Sequence, residues 1–127
     1  MGIIFDTYAL LAWFRDGDER YRSFFESQEQ KFITLLILME FYFFVYHFAG
    51  REKAESYKNL LRLNFKLLPA SAKTAIGAAV MRSTMLKRKR KLSYTDCVSH
   101  VLAVEHGHKV LTGDEHFRGL DHVLFVE

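Results

Sequence analysis

The apolar positions of this chain fall into short runs separated by longer segments with helical spacing. Gly2 to Phe5 is a four-residue apolar run closed by Asp6-Thr7, the length and composition of a buried strand. Tyr8 to Arg15 then carries Leu10, Leu11, Trp13 and Phe14 and predicts a helix. Asp16-Gly17-Asp18 marks a turn, and Glu19 to Glu29 predicts a second helix with Tyr21, Phe24 and Phe25 inward. Lys31 to Ile33 predicts a second strand, and Thr34 caps the next helix, Leu35 to Ala49. That helix is apolar almost all the way round. The pattern predicts burial on more than one side and, in so small a protein, a partner surface. It is too short to span a bilayer, and Glu40 lies near its middle.

Gly50 ends that segment, and Arg51 to Asn64 predicts an amphipathic basic helix with Ala54, Tyr57, Leu60 and Leu61 inward. Phe65 to Leu68 reads as a third strand stopped by Pro69. Ser71 caps a helix over Ala72 to Leu86, whose Ala75, Ala78 and Ala79 permit close packing. Leu92 to Phe117 is the most informative stretch. Ser93-Tyr94-Thr95-Asp96 has the form of a capping box, with Ser93 as N-cap and Asp96 reaching back from the first turn. Cys97, Val98, Val101, Leu102 and Val104 supply an apolar stripe, and Gly107 is a natural stop. Lys109 to Thr112 predicts a buried strand, broken by Gly113, which delivers Asp114 just past its end. Val123 to Val126 is a last short strand. Strands alternating with helices predict one α/β domain over residues 1–127, with a mainly parallel central sheet of four to five short strands.

Composition and charge sharpen this picture. Half of the residues are hydrophobic and only one is proline, which excludes a disordered chain. The lone Cys97 excludes an internal disulfide and reads as a small buried hydrophobe. The first residues lack a basic segment, and Asp6 interrupts their apolar run, so the expectation is a cytoplasmic protein without a signal peptide. The net charge of +3 conceals a strong asymmetry. Residues 1–50 hold 4 basic and 7 acidic side chains, residues 51–91 hold 12 and 2, and residues 92–127 hold 2 and 6. A basic middle between acidic flanks fits carboxylates gathered at one site beside a face that attracts a polyanion. Lys87-Arg88-Lys89-Arg90-Lys91 is its densest part and the candidate RNA-binding segment.

Four acids carry the candidate chemistry. Asp6 and Asp114 each follow a predicted strand, Asp96 heads a helix, and Glu40 stands alone in an apolar one. In open α/β sheets, strand ends and helix starts line the crevice where ligands bind. A lone acid such as Glu40 costs several kcal/mol unless a Lys, an Arg or a shared cation partners it. Two carboxylates ~5 Å apart at an effective dielectric near 20 repel by about 3 kcal/mol, so four converging acids call for a cation. All-oxygen donors select Mg²⁺ or Mn²⁺. Such an ion acidifies bound water and clamps the oxygens of a phosphoryl displacement, which with the basic face points to phosphodiester hydrolysis on nucleic acid. Other chemistries lack their residues. Tyr8 stands where a dehalogenase-type phosphotransferase needs a second Asp, and His106-Gly107-His108 suits a helix terminus better than a metal. No glycine-rich phosphate loop or Ser-His-Asp arrangement is present.

These residues also resemble a known family, the PIN-domain nucleases, and within it the small VapC-type toxins. The resemblance runs through essentially the whole chain. It is carried by Ile4-Phe5-Asp6-Thr7, by Met39-Glu40, by Leu92-Ser93-Tyr94-Thr95-Asp96, and by Leu111-Thr112-Gly113-Asp114-Glu115-His116-Phe117. It implies an α/β/α sandwich and a metal-dependent ribonuclease. Asp6, Glu40, Asp96 and Asp114 would hold one or two Mg²⁺ or Mn²⁺ ions, with Thr112 orienting the last acid. It further implies an RNA substrate, a homodimer and, for a toxin, an antitoxin protein covering the active groove. A nuclease of RNA maturation or decay, and a non-catalytic module binding RNA or protein, are the alternatives. The chain departs from the family pattern at Tyr8, where a small residue is usual, at Gly113, where Arg or Asn is common, and at His116, where some members have a further acid. Glu115 and Asp121 are the residues that could replace that acid.

Overall fold

The structure, a computed structural model, describes all residues from Met1 to Glu127. Its strands are β1 (Gly2–Phe5), β2 (Gln30–Ile33), β3 (Lys66–Leu67), β4 (Lys109–Thr112) and β5 (Val123–Phe125). They form one parallel sheet in the order β3-β2-β1-β4-β5. The helices are α1 (Thr7–Phe14), α2 (Arg22–Phe25), α3 (Leu35–Ala49), α4 (Arg51–Asn64), α5 (Ala72–Lys87) and α6 (Tyr94–His106). Strands β2 and β3 lie to one side of β1, and β4 and β5 to the other. The order therefore reverses between β1 and β4, and the carboxyl ends of those two strands open the crevice in which such sheets place their ligands. A hydrogen bond from the Asp6 N–H to the Leu111 carbonyl, 3.2 Å, holds the two strand ends together.

Fully buried Ile4 and Phe5 of β1 and Val110 and Leu111 of β4 make the centre of the core. Phe5 packs edge-on to Phe25 and Phe65, with ring centroids at 4.7 and 4.9 Å, and Trp13 stacks on Phe25 at 5.2 Å. These rings lock α1, α2 and the approach to β3 onto the sheet. Helices α5 and α6 pack against each other, and Leu102 of α6 is wholly buried. Truncating such a leucine to alanine costs about 2–5 kcal/mol.

The structure corrects the sequence expectations in four places. The helix expected over Glu19 to Glu29 is a single 3₁₀ turn, Glu19–Tyr21, followed by the one turn of α2. It stops because the Ser27 hydroxyl accepts the Glu29 N–H at 3.0 Å, a local bond that competes with the helical one. Helix α3 buries only one stripe, Ile37, Phe41 and Val45, and leaves Leu35, Met39, Phe43 and Phe48 more than half exposed. Leu60 of α4, expected inward, is exposed beside the buried Ala54 and Leu61. The close approach of α5 to α6 does not run through Ala75 and Ala79, which are exposed, but through Gly77 and Ala78. A Cβ on Gly77 would already touch Val101 at 3.4 Å.

Candidate functional site

Asp6 follows the last residue of β1 and is the N-cap of α1, its Oδ1 accepting the Ala9 N–H at 2.8 Å. An aspartate satisfies an otherwise orphaned helix donor in this way. Asp114 follows β4 with one residue between, and Oδ1 accepts the His116 N–H at 3.0 Å as the chain enters the 3₁₀ turn Glu115–Phe117. Asp96 sits on the first turn of α6. Its Oδ2 accepts the Ser93 N–H at 3.0 Å while Ser93 Oγ accepts the Asp96 N–H at 3.0 Å, so the capping box is complete. Glu40, on α3, takes no ion pair; Thr7 Oγ1 donates to its Oε1 at 2.6 Å. It is half-buried and opens toward the other acids, so the penalty expected for a carboxylate within an apolar helix does not arise.

All four acids line one cleft of about 400 Å³ at the carboxyl end of the sheet. Asp6 is 4% exposed, and its carboxyl is raised to about 8. Burial is the main cause, and the nearby Asp96 and Asp114 charges add to it. Hydrogen bonds from the Thr112 hydroxyl and the Ala9 N–H pull the other way. Asp96 is also raised, by burial first and then by Asp114 and Glu40, against the lowering effect of its Ser93 bonds. A hollow of similar size, about 430 Å³, lies between α5 and the start of α6 around Arg82 and Tyr94. Only the first cleft brings carboxylates together, and chemistry rather than size marks it as the site.

The donor set suits a hard divalent cation: the cleft is lined mainly by carboxylate and hydroxyl oxygens, with Lys91 and His116 its only nitrogen-bearing side chains, and Glu40 Oε2, Asp96 Oδ1 and Asp114 Oδ2 accept no hydrogen bond from the protein. The carboxylates do not, as they stand, form a closed cage, since no three His, Cys, Asp or Glu side chains are gathered closely enough to grip one ion. Asp6, Asp96 and Asp114 are each held by a donor within three residues, and Glu40 by Thr7 of α1.

The supporting residues differ in part from expectation. Thr112 hydrogen-bonds Asp114 through the backbone, its Oγ1 accepting the Asp114 N–H at 3.0 Å, and its hydroxyl also acts on Asp6. Of the basic run, only Lys91 lines the cleft. Arg90 turns inward, donating through Nη2 to the carbonyls of His116 and Arg118 at 2.6 and 2.7 Å, and so fixes the turn that carries Asp114. Lys87 ends α5 beside the other hollow, and Arg88 and Lys89 continue the exposed connection. Neither Glu115 nor Asp121 lines the cleft. Glu115 pairs with Arg118 at 2.7 Å, and Asp121 faces His100 at 3.1 Å. His116 does line it, with Nδ1 3.1 Å from Asp114 Oδ1. Thr7 joins the site beyond the residues the sequence singles out; a hydroxyl directly after the Asp of a strand end is its only local signal. Cys97 is buried and its thiol is pushed up to about 11, so it is inert as a nucleophile. His108 accepts the Gly2 N–H at 3.0 Å and stacks on Phe32, a structural role.

Solved structures share this fold over nearly the entire chain. VapBC2 from Rickettsia felis, bound to a DNA fragment from its promoter, matches with a TM-score of 0.81 at 14% identity, over 99% of this chain and 98% of that one. DNA-bound VapBC from Salmonella typhimurium matches at 0.80 and 16%, over 99% and 97%. Mycobacterium tuberculosis VapC20, a toxin that cleaves the sarcin-ricin loop, matches at 0.77 and 18%, over 99% and 98%. No curated protein sequence matches the chain significantly. The PIN domain family matches residues 3–123. The chain thus belongs to the PIN-domain family, with the fold seen in its VapC-type members.

Proposed function

We propose that this protein is a divalent-metal-dependent endoribonuclease and the toxin of a toxin–antitoxin pair. The observation that carries the reading is the convergence of Asp6, Glu40, Asp96 and Asp114, from four separate elements, on one cleft at the reversal point of the sheet. These acids would hold one or two Mg²⁺ or Mn²⁺ ions. When bound, the ion supplies an acidified water and offsets charge on the phosphate oxygens. The chain's own residues do the rest. Thr7 fixes the Glu40 carboxylate, Ser93 fixes Asp96, and Thr112 fixes the Asp114 backbone. Lys91 brings a cation to the rim for the RNA backbone.

Partners follow from the surface. An apolar groove of about 220 Å³, lined by Leu11, Phe44, Phe48 and Tyr57, shares Leu11 and Phe44 with the acid cleft. An antitoxin segment lying there would cover the acids, in keeping with the toxin–antitoxin assemblies among the structural neighbours. The exposed Leu35, Met39 and Phe43 of α3 suit a second copy of the chain, which supports a homodimer. Incubation of the purified protein with labelled single-stranded RNA tests the reading. Cleavage is expected with Mg²⁺ or Mn²⁺ and not with EDTA, and Asp96→Asn should lower it by roughly a hundredfold or more. Equal RNA binding by wild type and variant, with no cleavage by either, would instead make it a binding module.

A further inference from the structure

Tyr8 and Gly113 depart from the family pattern together, and they touch. A Cβ on Gly113 would fall 2.6 and 3.1 Å from Tyr8 Cε1 and Cδ1, and 2.5 Å from Tyr21 Oη. Gly113 does not have a positive φ, so glycine is required there for space rather than for backbone conformation. The Tyr8 ring lies over the Gly113 backbone with the buried Tyr21 behind it. It is thereby fixed as one wall of the acid cleft, two residues beyond Asp6. Yet the side chain is 47% exposed, and its hydroxyl makes no hydrogen bond within the protein. A rigid, half-open aromatic ring beside a phosphodiester site is what unstacked RNA bases dock on.

We propose that Tyr8 is a base-binding residue, stacking on a nucleobase of the RNA next to the cleaved phosphate. The inference rests on the ribonuclease reading. Stacking is present in bound substrate and transition state alike, so its loss raises KM and leaves kcat.

The test uses single-stranded dodecaribonucleotides that together contain every dinucleotide step. One that wild type cleaves in Mn²⁺ is remade with an abasic ribose at each position in turn. At one position, base removal should raise the wild-type KM about tenfold or more while changing kcat less than about twofold. Tyr8→Leu, which keeps the bulk over Gly113 but lacks an aromatic face, should show that high KM on intact RNA and no further rise on the abasic one. Tyr8→Phe should restore the wild-type pattern. Sensitivity to every abasic position that is unchanged in Tyr8→Leu, or a fall in kcat alone, overturns the stacking role while leaving the ribonuclease intact. If no oligonucleotide is cleaved in Mg²⁺ or Mn²⁺, both readings fall together.

Discussion

Replacing Asp6 by asparagine is expected to have two opposite effects, abolishing RNA cleavage and stabilising the metal-free protein. Asparagine keeps the shape of the side chain and the oxygen that accepts the Ala9 N–H, so the helix cap survives. It removes a carboxyl that burial, Asp96 and Asp114 together raise to about 8. The sign of the pH dependence follows directly. Between about pH 4 and pH 8 the unfolded chain releases the Asp6 proton while the folded chain retains it. The unfolded state therefore binds fewer protons, and stability falls as pH rises through that window. A displacement of about four pH units corresponds to a loss of up to about 5 kcal/mol, complete above pH 8. Asp6→Asn removes this dependence. Urea unfolding in EDTA at pH 5 and pH 8 should show wild type losing several kcal/mol at the higher pH and the variant much less. Parallel profiles for the two proteins would mean that Asp6 is not the strained group. Cleavage by Asp6→Asn should drop by at least about a hundredfold, because an amide is a poor substitute for a carboxylate toward a divalent ion.

The second large effect is the converse, stabilisation by the ion itself. A ligand that binds only the folded state adds about 2.7 kcal/mol at a free concentration of 100 times its Kd. Here Mn²⁺ would tie four elements together: α1 through Asp6, α3 through Glu40, α6 through Asp96 and the end of β4 through Asp114. Because a proton on Asp6 competes with the ion, the rise in melting temperature with Mn²⁺ should be greater at pH 8 than at pH 6. It should shrink strongly in Asp6→Asn. A rise that is independent of pH and equal in wild type and variant would place the ion elsewhere on the protein.

Much of this site was legible because its signals are local. The Ser93–Asp96 box, the Gly107 stop and the short run ending at Asp6 are each specified by residues within one or two turns, and each forms as the sequence predicts. Gly107 takes the left-handed conformation, φ 68°, that a helix stop requires. What could not be read depends on partners distant in sequence. Arg90 belongs to a basic run by composition, but the carbonyls of His116 and Arg118 turn it into a brace. The Thr112 hydroxyl reaches across strands to Asp6 because β1 and β4 are neighbours, which no local pattern encodes. Tyr8 and Gly113 look like two separate departures until the fold brings their atoms into contact. On α3, the pattern could show that the helix is apolar on all sides, but not which stripe the sheet would cover.

The central claim is that the acid cleft is a divalent-cation site whose charge is otherwise relieved by a proton on Asp6. Titration calorimetry of the metal-free protein with Mn²⁺ at pH 7, in buffers of different ionisation enthalpy, measures both halves of it. The expected result is saturable binding with nearly one proton released per protein, and loss of that release in Asp6→Asn. Absence of binding, or binding with no proton released, would contradict it.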